Sequence, residues 1–166
     1  MRVKITRSPN PKKKFRATLE DGRTVDFGAR GYSDYTKHKS PSRMRSYVLR
    51  HGGRIPKSTI AERDPKKIQD KMLSIDGSDK ENWKMSGIDG AGFWSRWYLW
   101  SFPTFQGVEK FMSKRFGITF LWTLEIAHQS PYTFPLHHQI PVLESRRRLV
   151  QPHFPIPHVY VLNHWA

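Results

Sequence analysis

The sequence predicts an α+β protein: a small antiparallel β-sheet at the N-terminus followed by several short helices, with an extended Pro-rich C-terminal arm. Three observations carry this reading. Residues 3–27 hold short runs that alternate apolar and polar side chains between turn residues, the two-residue period of half-buried strands. Between residues 40 and 117, apolar side chains recur at helical spacing behind N-cap residues and ahead of glycines. Prolines at 131, 135, 141, 152, 155 and 157 then exclude long regular elements, because each lacks a backbone donor and fixes φ.

Taken in order, Val3-Lys4-Ile5 is the first strand. Ser8-Pro9-Asn10-Pro11-Lys12-Lys13-Lys14 is a basic loop, and Phe15-Arg16-Ala17-Thr18-Leu19 is the second strand. Glu20-Asp21-Gly22-Arg23 turns the chain, with Asp-Gly suited to positive φ, and Thr24-Val25-Asp26-Phe27 returns as the partner strand. Gly28-Ala29-Arg30-Gly31 lacks the spacing of a phosphate-binding loop and reads as a turn that needs positive φ. Ser40-Pro41 opens a helix, Ser as N-cap and Pro at the first helical position. Met44, Tyr47 and Val48 form its apolar stripe, and Gly52-Gly53 ends it. A second helix is expected over residues 60–73 with Pro65 in its first turns, then a Gly/Ser/Asp-rich loop over 76–92. Gly92-Phe93-Trp94-Ser95-Arg96-Trp97-Tyr98-Leu99-Trp100 forms a short helix. Thr104 caps a last one that carries Phe105, Val108, Phe111, Met112 and Phe116 and stops at Gly117.

Composition changes abruptly after that helix. Residues 1–117 hold 26 Lys and Arg against 12 Asp and Glu, whereas residues 118–166 hold 3 against 2 and are rich in Pro, His and apolar side chains. The break divides a basic head, 1–117, from an arm, 118–166, which contains Arg146, Arg147, Arg148, Phe154 and Trp165. The arm is too apolar for a typical disordered tail, so it is expected to lie extended on a neighbour.

The net charge of +15 directs the chain toward polyanions: nucleic acid, an anionic membrane face or an acidic protein surface. Cysteine is absent, which excludes disulfides and thiolate metal sites. No apolar run approaches the roughly 18 residues of a membrane-spanning helix, and the polar N-terminus is unlike a signal peptide. The expected protein is soluble and made inside the cell. No His-x-x-x-His pair, nucleophile elbow or paired carboxylates stand out, so neither a catalytic residue nor a metal or other cofactor is assigned.

What remains are the cations and the aromatics. Lys12, Lys13, Lys14, Arg16, Arg30, Lys37, Lys39, Arg43, Arg45, Arg50 and Arg96 are the candidate contacts to a partner or polyanion. Tyr32, Tyr35 and Tyr47 interleave with them, a pattern that suits single-strand stacking with phosphate neutralisation as well as acidic protein. Phe93, Trp94, Trp97, Trp100, Phe111 and Phe116 are the core or anchor aromatics. The three tryptophans at i, i+3 and i+6 share a helical face and build a small core with Phe105, which leaves Arg96 pointing outward. With 37% hydrophobic residues, that core is expected to be modest.

Four stretches carry a resemblance: residues 4–14, 27–39, 47–53 and 92–100. Together they resemble a family of small basic proteins of large nucleocytoplasmic DNA viruses, the chlorella-virus and mimivirus kind, over about residues 1–117. The resemblance implies a virion component made in the host cytoplasm, most concretely a minor capsid protein on the inner side of the shell. Its partners would be the major capsid protein and other minor capsid proteins, whose shell it helps hold together. A nucleic-acid-binding or packaging role, and contact with an inner viral membrane surface, stay open beside it. The family brings no catalytic residue, and the arm departs from its pattern.

Overall fold

The computed structural model describes residues 1–121. The arm residues Arg146, Arg147, Arg148, Phe154 and Trp165 lie outside the described residues. The three expected strands are present as β1 (Arg2–Arg7), β2 (Lys13–Leu19) and β3 (Thr24–Ala29), joined as antiparallel neighbours. Val3 faces Leu19 and Arg7 faces Phe15 across the first pair; Phe15 faces Phe27 across the second. Gly22, at φ +86°, makes the turn after Asp21 that an L side chain would resist. Alternation then divides the faces. Val3, Ile5, Ala17, Leu19, Val25 and Phe27 are buried on one side, while Lys4 and Thr24 on the other are exposed.

A fourth strand extends the expected sheet and moves one boundary. β4 (Thr119–Leu121) pairs parallel to β1, giving the order β3-β2-β1-β4 and a mixed rather than purely antiparallel sheet. Ile118 before it is buried, so residues 118–121 belong to the basic head and not to an arm beginning at 118. A three-residue strand has too little alternation to announce itself. The composition break marks where lysine and glycine stop, not where the chain leaves the sheet.

Among the described residues, six α-helices follow the hairpins. α1 (Tyr35–His38) is a single turn capped by Asp34. α2 (Pro41–Arg50) begins as expected, with the Arg43 N–H donating to Ser40 Oγ. The helix expected over 60–73 is two pieces, α3 (Lys57–Ile60) and α4 (Pro65–Leu73). Asp64 caps α4, accepting from the N–H groups of Lys66 and Lys67, and Pro65 stands at its start. Proline disfavours helical backbone just before it and has no N–H to give a preceding turn, so it opens a helix rather than sitting inside one. α5 (Ala91–Trp94) continues into a π-helical turn, Ser95–Leu99. α6 (Phe105–Phe116) runs from the Thr104 cap to Gly117 at φ +66°.

The aromatic segment lies in the core of the described residues. Residues 96–101 are all buried; they pack against α6, while α5 just before them packs on β3. A run buried on every side has no solvent face to keep helical phase with, and the wider π turn directs successive side chains to different neighbours. Trp94, Trp97 and Trp100 join the core as expected, with Phe111 and Phe116 packed against them. Trp94 Nε1 donates to Ile88 O and Trp97 Nε1 to Trp83 O, each at 2.7 Å, so the indoles bury without an orphaned donor. Each buried indole contributes roughly 4–6 kcal/mol of transfer free energy. The core is therefore not modest. Among the described residues it comprises 23 buried hydrophobic residues, including Tyr35, Tyr47 and Trp83. Large aromatic side chains fill volume that the percentage of apolar residues under-represents.

Candidate partner-binding surface

The eleven candidate cations divide by what already holds them. Arg96 is fully buried, which overturns the outward orientation and its role as a contact. Its Nη1 donates to Trp100 O at 3.0 Å, and its Nη2 donates to Met72 O and Ile75 O. One of these oxygens, Met72 O, lies in the last turn of α4, where the helix dipole favours a cation. The guanidinium also lies 4.2 Å from the Trp97 ring centre and 5.3 Å from that of Trp83. Burial lowers its pKa to about 10, still charged at neutral pH. Arginine was expected outside because a sequence does not show the carbonyls that can desolvate it.

Three further candidates are committed internally. The Lys14 ammonium meets Asp34 at 2.5 Å with its side chain 11% exposed. Arg16 grips Asp26 through two bonds of 2.8 and 2.7 Å, which raises its own pKa and lowers that of the carboxyl. Arg45 Nη1 donates to the carbonyls of Thr59 and Glu62, holding α2 to the link before α4. Lys14 and Arg45 thus act as braces, not as open contacts. Lys12, Arg30, Lys37, Lys39, Arg43 and Arg50 are exposed and Lys13 is half-buried.

Four cations gather at one end of the sheet. The β1–β2 loop, the start of β2 and the end of β3 meet there, bringing Arg7, Lys12, Lys13 and Arg30 together. Arg7 was missed because an isolated strand-end arginine carries no signal without the topology. The loop is braced despite its lysines. Ser8 Oγ donates to Asp26 Oδ1 at 2.8 Å, Asn10 N–H donates to Ser8 Oγ at 3.0 Å, and Lys12 N–H donates to Asn10 Oδ1 at 2.9 Å. Arg30 is fastened by its N–H to Lys12 O and its Nε to Lys13 O. The neighbouring carboxylates Asp26 and Asp34 are paired with Arg16 and Lys14; Asp26 also feels the Lys13 ammonium, so it offsets this end in part only. The opposite end is balanced, with Arg2 on Glu20 and Arg23 between Asp21 and Asp89. The sheet is therefore electrically lopsided along its strands.

The interleaved tyrosines do not form a stacking row. Tyr32 is 73% exposed beside Arg30, but Tyr35 is 1% and Tyr47 4% exposed. Tyr47 stacks on Trp100 at 4.3 Å and 6°, and burial pushes its hydroxyl well above the ordinary value. Tyr35 donates to Gln69 Oε1 at 2.6 Å. Among the described residues, no group of three or more His, Asp or Glu side chains could hold a metal, and no helix is long and apolar enough to cross a membrane.

A model of a family of unknown function, DUF5754, matches residues 3–51, from β1 to just past α2 and under a third of the chain. The matched stretch contains the whole cationic end of the sheet. No curated protein matches the chain, and no solved structure does.

Proposed function

We propose that this chain is a structural docking protein, a minor component of the inner side of a large DNA virus capsid. In this reading the cationic end of its sheet binds acidic surfaces of neighbouring capsid proteins, and the protein acts without catalysing a reaction. The placement in a virion rests on the resemblance of the four motif stretches. The docking reading is carried by one observation: Arg7, Lys12, Lys13 and Arg30 converge on a braced loop whose neighbouring carboxylates, Asp26 and Asp34, are already paired with Arg16 and Lys14. A preorganised charged surface loses little side-chain and loop entropy on binding and steers acidic partners toward it.

Nucleic acid is the second reading, and burial weakens its single-strand form. Only Tyr32 of the three tyrosines, and none of Trp83, Trp94, Trp97 and Trp100, offers an open ring to a base. The test is a triple reversal, Lys12→Glu with Lys13→Glu and Arg30→Glu, in virus produced in cells. The docking reading expects loss of the protein from purified particles, while the wild-type chain stays with shells emptied of genome. Release of the wild-type chain with the genome, together with tight DNA binding that falls steeply with salt, establishes the nucleic-acid reading instead.

A further inference from the structure

A second site lies away from the cationic end, between α6 and the outer strand of the sheet. Gln106, Glu109, Lys110 and Ser113 of α6 face residues 117–120 across an open groove of about 450 Å³. The size is that of a small-ligand or short-peptide cleft. Glu109 stands in it, 8% exposed, and accepts a hydrogen bond of 3.1 Å from the buried Tyr98 hydroxyl.

Its charge state is unusual for this protein. Nine of the twelve Asp and Glu among the described residues face an Arg, Lys or His within ion-pair distance. Of the others, Asp64 caps α4 and Asp70 is exposed. Glu109 is the buried carboxyl without a cation among the described residues, in a region where cations outnumber acids 26 to 12. A buried carboxylate left unpaired is costly, and a cation brought to it from outside recovers that cost.

The strand beside it supplies the second element. Among the described residues, β4 is the edge strand. Thr119 N–H donates to Met1 O at 2.9 Å, so in a parallel ladder Thr119 turns its polar groups to β1 and Phe120 turns its N–H and C=O to the open side. An edge of this kind accepts an added strand.

We propose that this groove takes an extended segment of a partner protein along the β4 edge, with one lysine or arginine side chain of that segment seated against Glu109. The commitment to a peptide rather than a free amine comes from the strand: only an extended segment can pair with the N–H and C=O of Phe120. Lys110 at the groove opposes any incoming cation, so backbone pairing has to supply part of the affinity. The other groups around the carboxyl, Gln106, Ser113 and the Tyr98 hydroxyl, are neutral at pH 7, and Ser113 Oγ is already spent on Ile118 O. The site stands on different residues from the cationic end and holds whether or not that end docks on a shell.

The probes are acetyl-Thr-Lys-Thr-amide, its norleucine counterpart and butylamine, titrated into the 15N-labelled full chain. The expected result is saturable amide shifts at Glu109, Thr119 and Phe120, with the lysine peptide at least tenfold tighter than the norleucine peptide and butylamine weaker than both. Glu109→Gln abolishes the lysine preference while its unperturbed spectrum elsewhere reports an intact fold. A lysine peptide whose central amide is N-methylated, and so cannot complete the ladder, binds at least threefold more weakly. Equal binding of the lysine and norleucine peptides, a lysine preference that survives in Glu109→Gln, or no binding at all overturns the proposal. Butylamine binding as tightly as the peptide overturns the peptide as occupant and assigns the groove to free amines.

Discussion

Replacing Glu109 by glutamine is expected to stabilise the protein at pH 8 and to change little at pH 4.5. Burial raises the Glu109 carboxyl to about 7, against an ordinary 4.5, even though the Tyr98 hydrogen bond pulls the other way. The folded chain therefore holds a proton there that the unfolded chain has already released. Between pH 4.5 and 7 the native state binds more protons, so stability falls as pH rises and levels off above pH 7. At about 1.4 kcal/mol per pH unit the whole effect is roughly 3 kcal/mol, and about 2 kcal/mol if groove water screens the carboxylate. Glutamine keeps an oxygen for Tyr98 and carries no charge, so it removes the pH dependence and retains the hydrogen bond. Urea unfolding followed by tryptophan fluorescence, wild type minus variant at each pH from 4.5 to 8, is the measurement. The difference is needed because His38, lowered chiefly by burial, acts in the opposite sense, its contribution being lost as pH falls. A wild-type-minus-variant difference that stays flat across this range refutes the buried, unpaired reading of Glu109.

Arg96→Lys is expected to cost about 3 kcal/mol or more, since an ammonium cannot serve the three carbonyls of Met72, Ile75 and Trp100 as the guanidinium fork does; thermal unfolding checks it. Gly53→Ala places a Cβ against Val48 Cγ1 and 2.7 Å from the Val48 carbonyl oxygen, and a loss of about 2 kcal/mol should appear in the urea midpoint. The Lys12, Lys13 and Arg30 reversal, in contrast, is expected to cost no more than about 1 kcal/mol in urea unfolding, because Lys12 and Arg30 are exposed, Lys13 is half-buried and one Arg30 bond to Lys13 O is given up.

Local signals carried much of the architecture. Asp21-Gly22, Ser40-Pro41 and Thr104 to Gly117 each announce a boundary through chemistry confined to neighbouring residues, and the structure has those boundaries. The tryptophans at 94, 97 and 100 were legible as core because indoles are costly to expose. What escaped depends on partners distant in sequence. Arg96 reads as a surface cation until α4 places carbonyls around it, and Lys14 does so until Asp34 arrives. Tyr35 and Tyr47 sit among lysines and arginines in the chain yet face inward. The cationic end was only partly legible, because its grouping depends on which strand ends coincide. Glu109 gave no sign, since one acid in an amphipathic helix is ordinary until its neighbours prove to be Tyr98 and an open edge.

The parallel pairing of β4 with β1 sets an order for biosynthesis. The Met1 nitrogen bonds to a carbonyl 116 positions downstream, so β1 emerges from the ribosome long before its outer neighbour exists. The hairpins can form early, but one side of β1 stays bare until the chain has been made past residue 121 and has cleared the exit tunnel. During that interval the nascent chain exposes a naked strand edge, and its protection falls to whatever binds new polypeptides at the tunnel mouth.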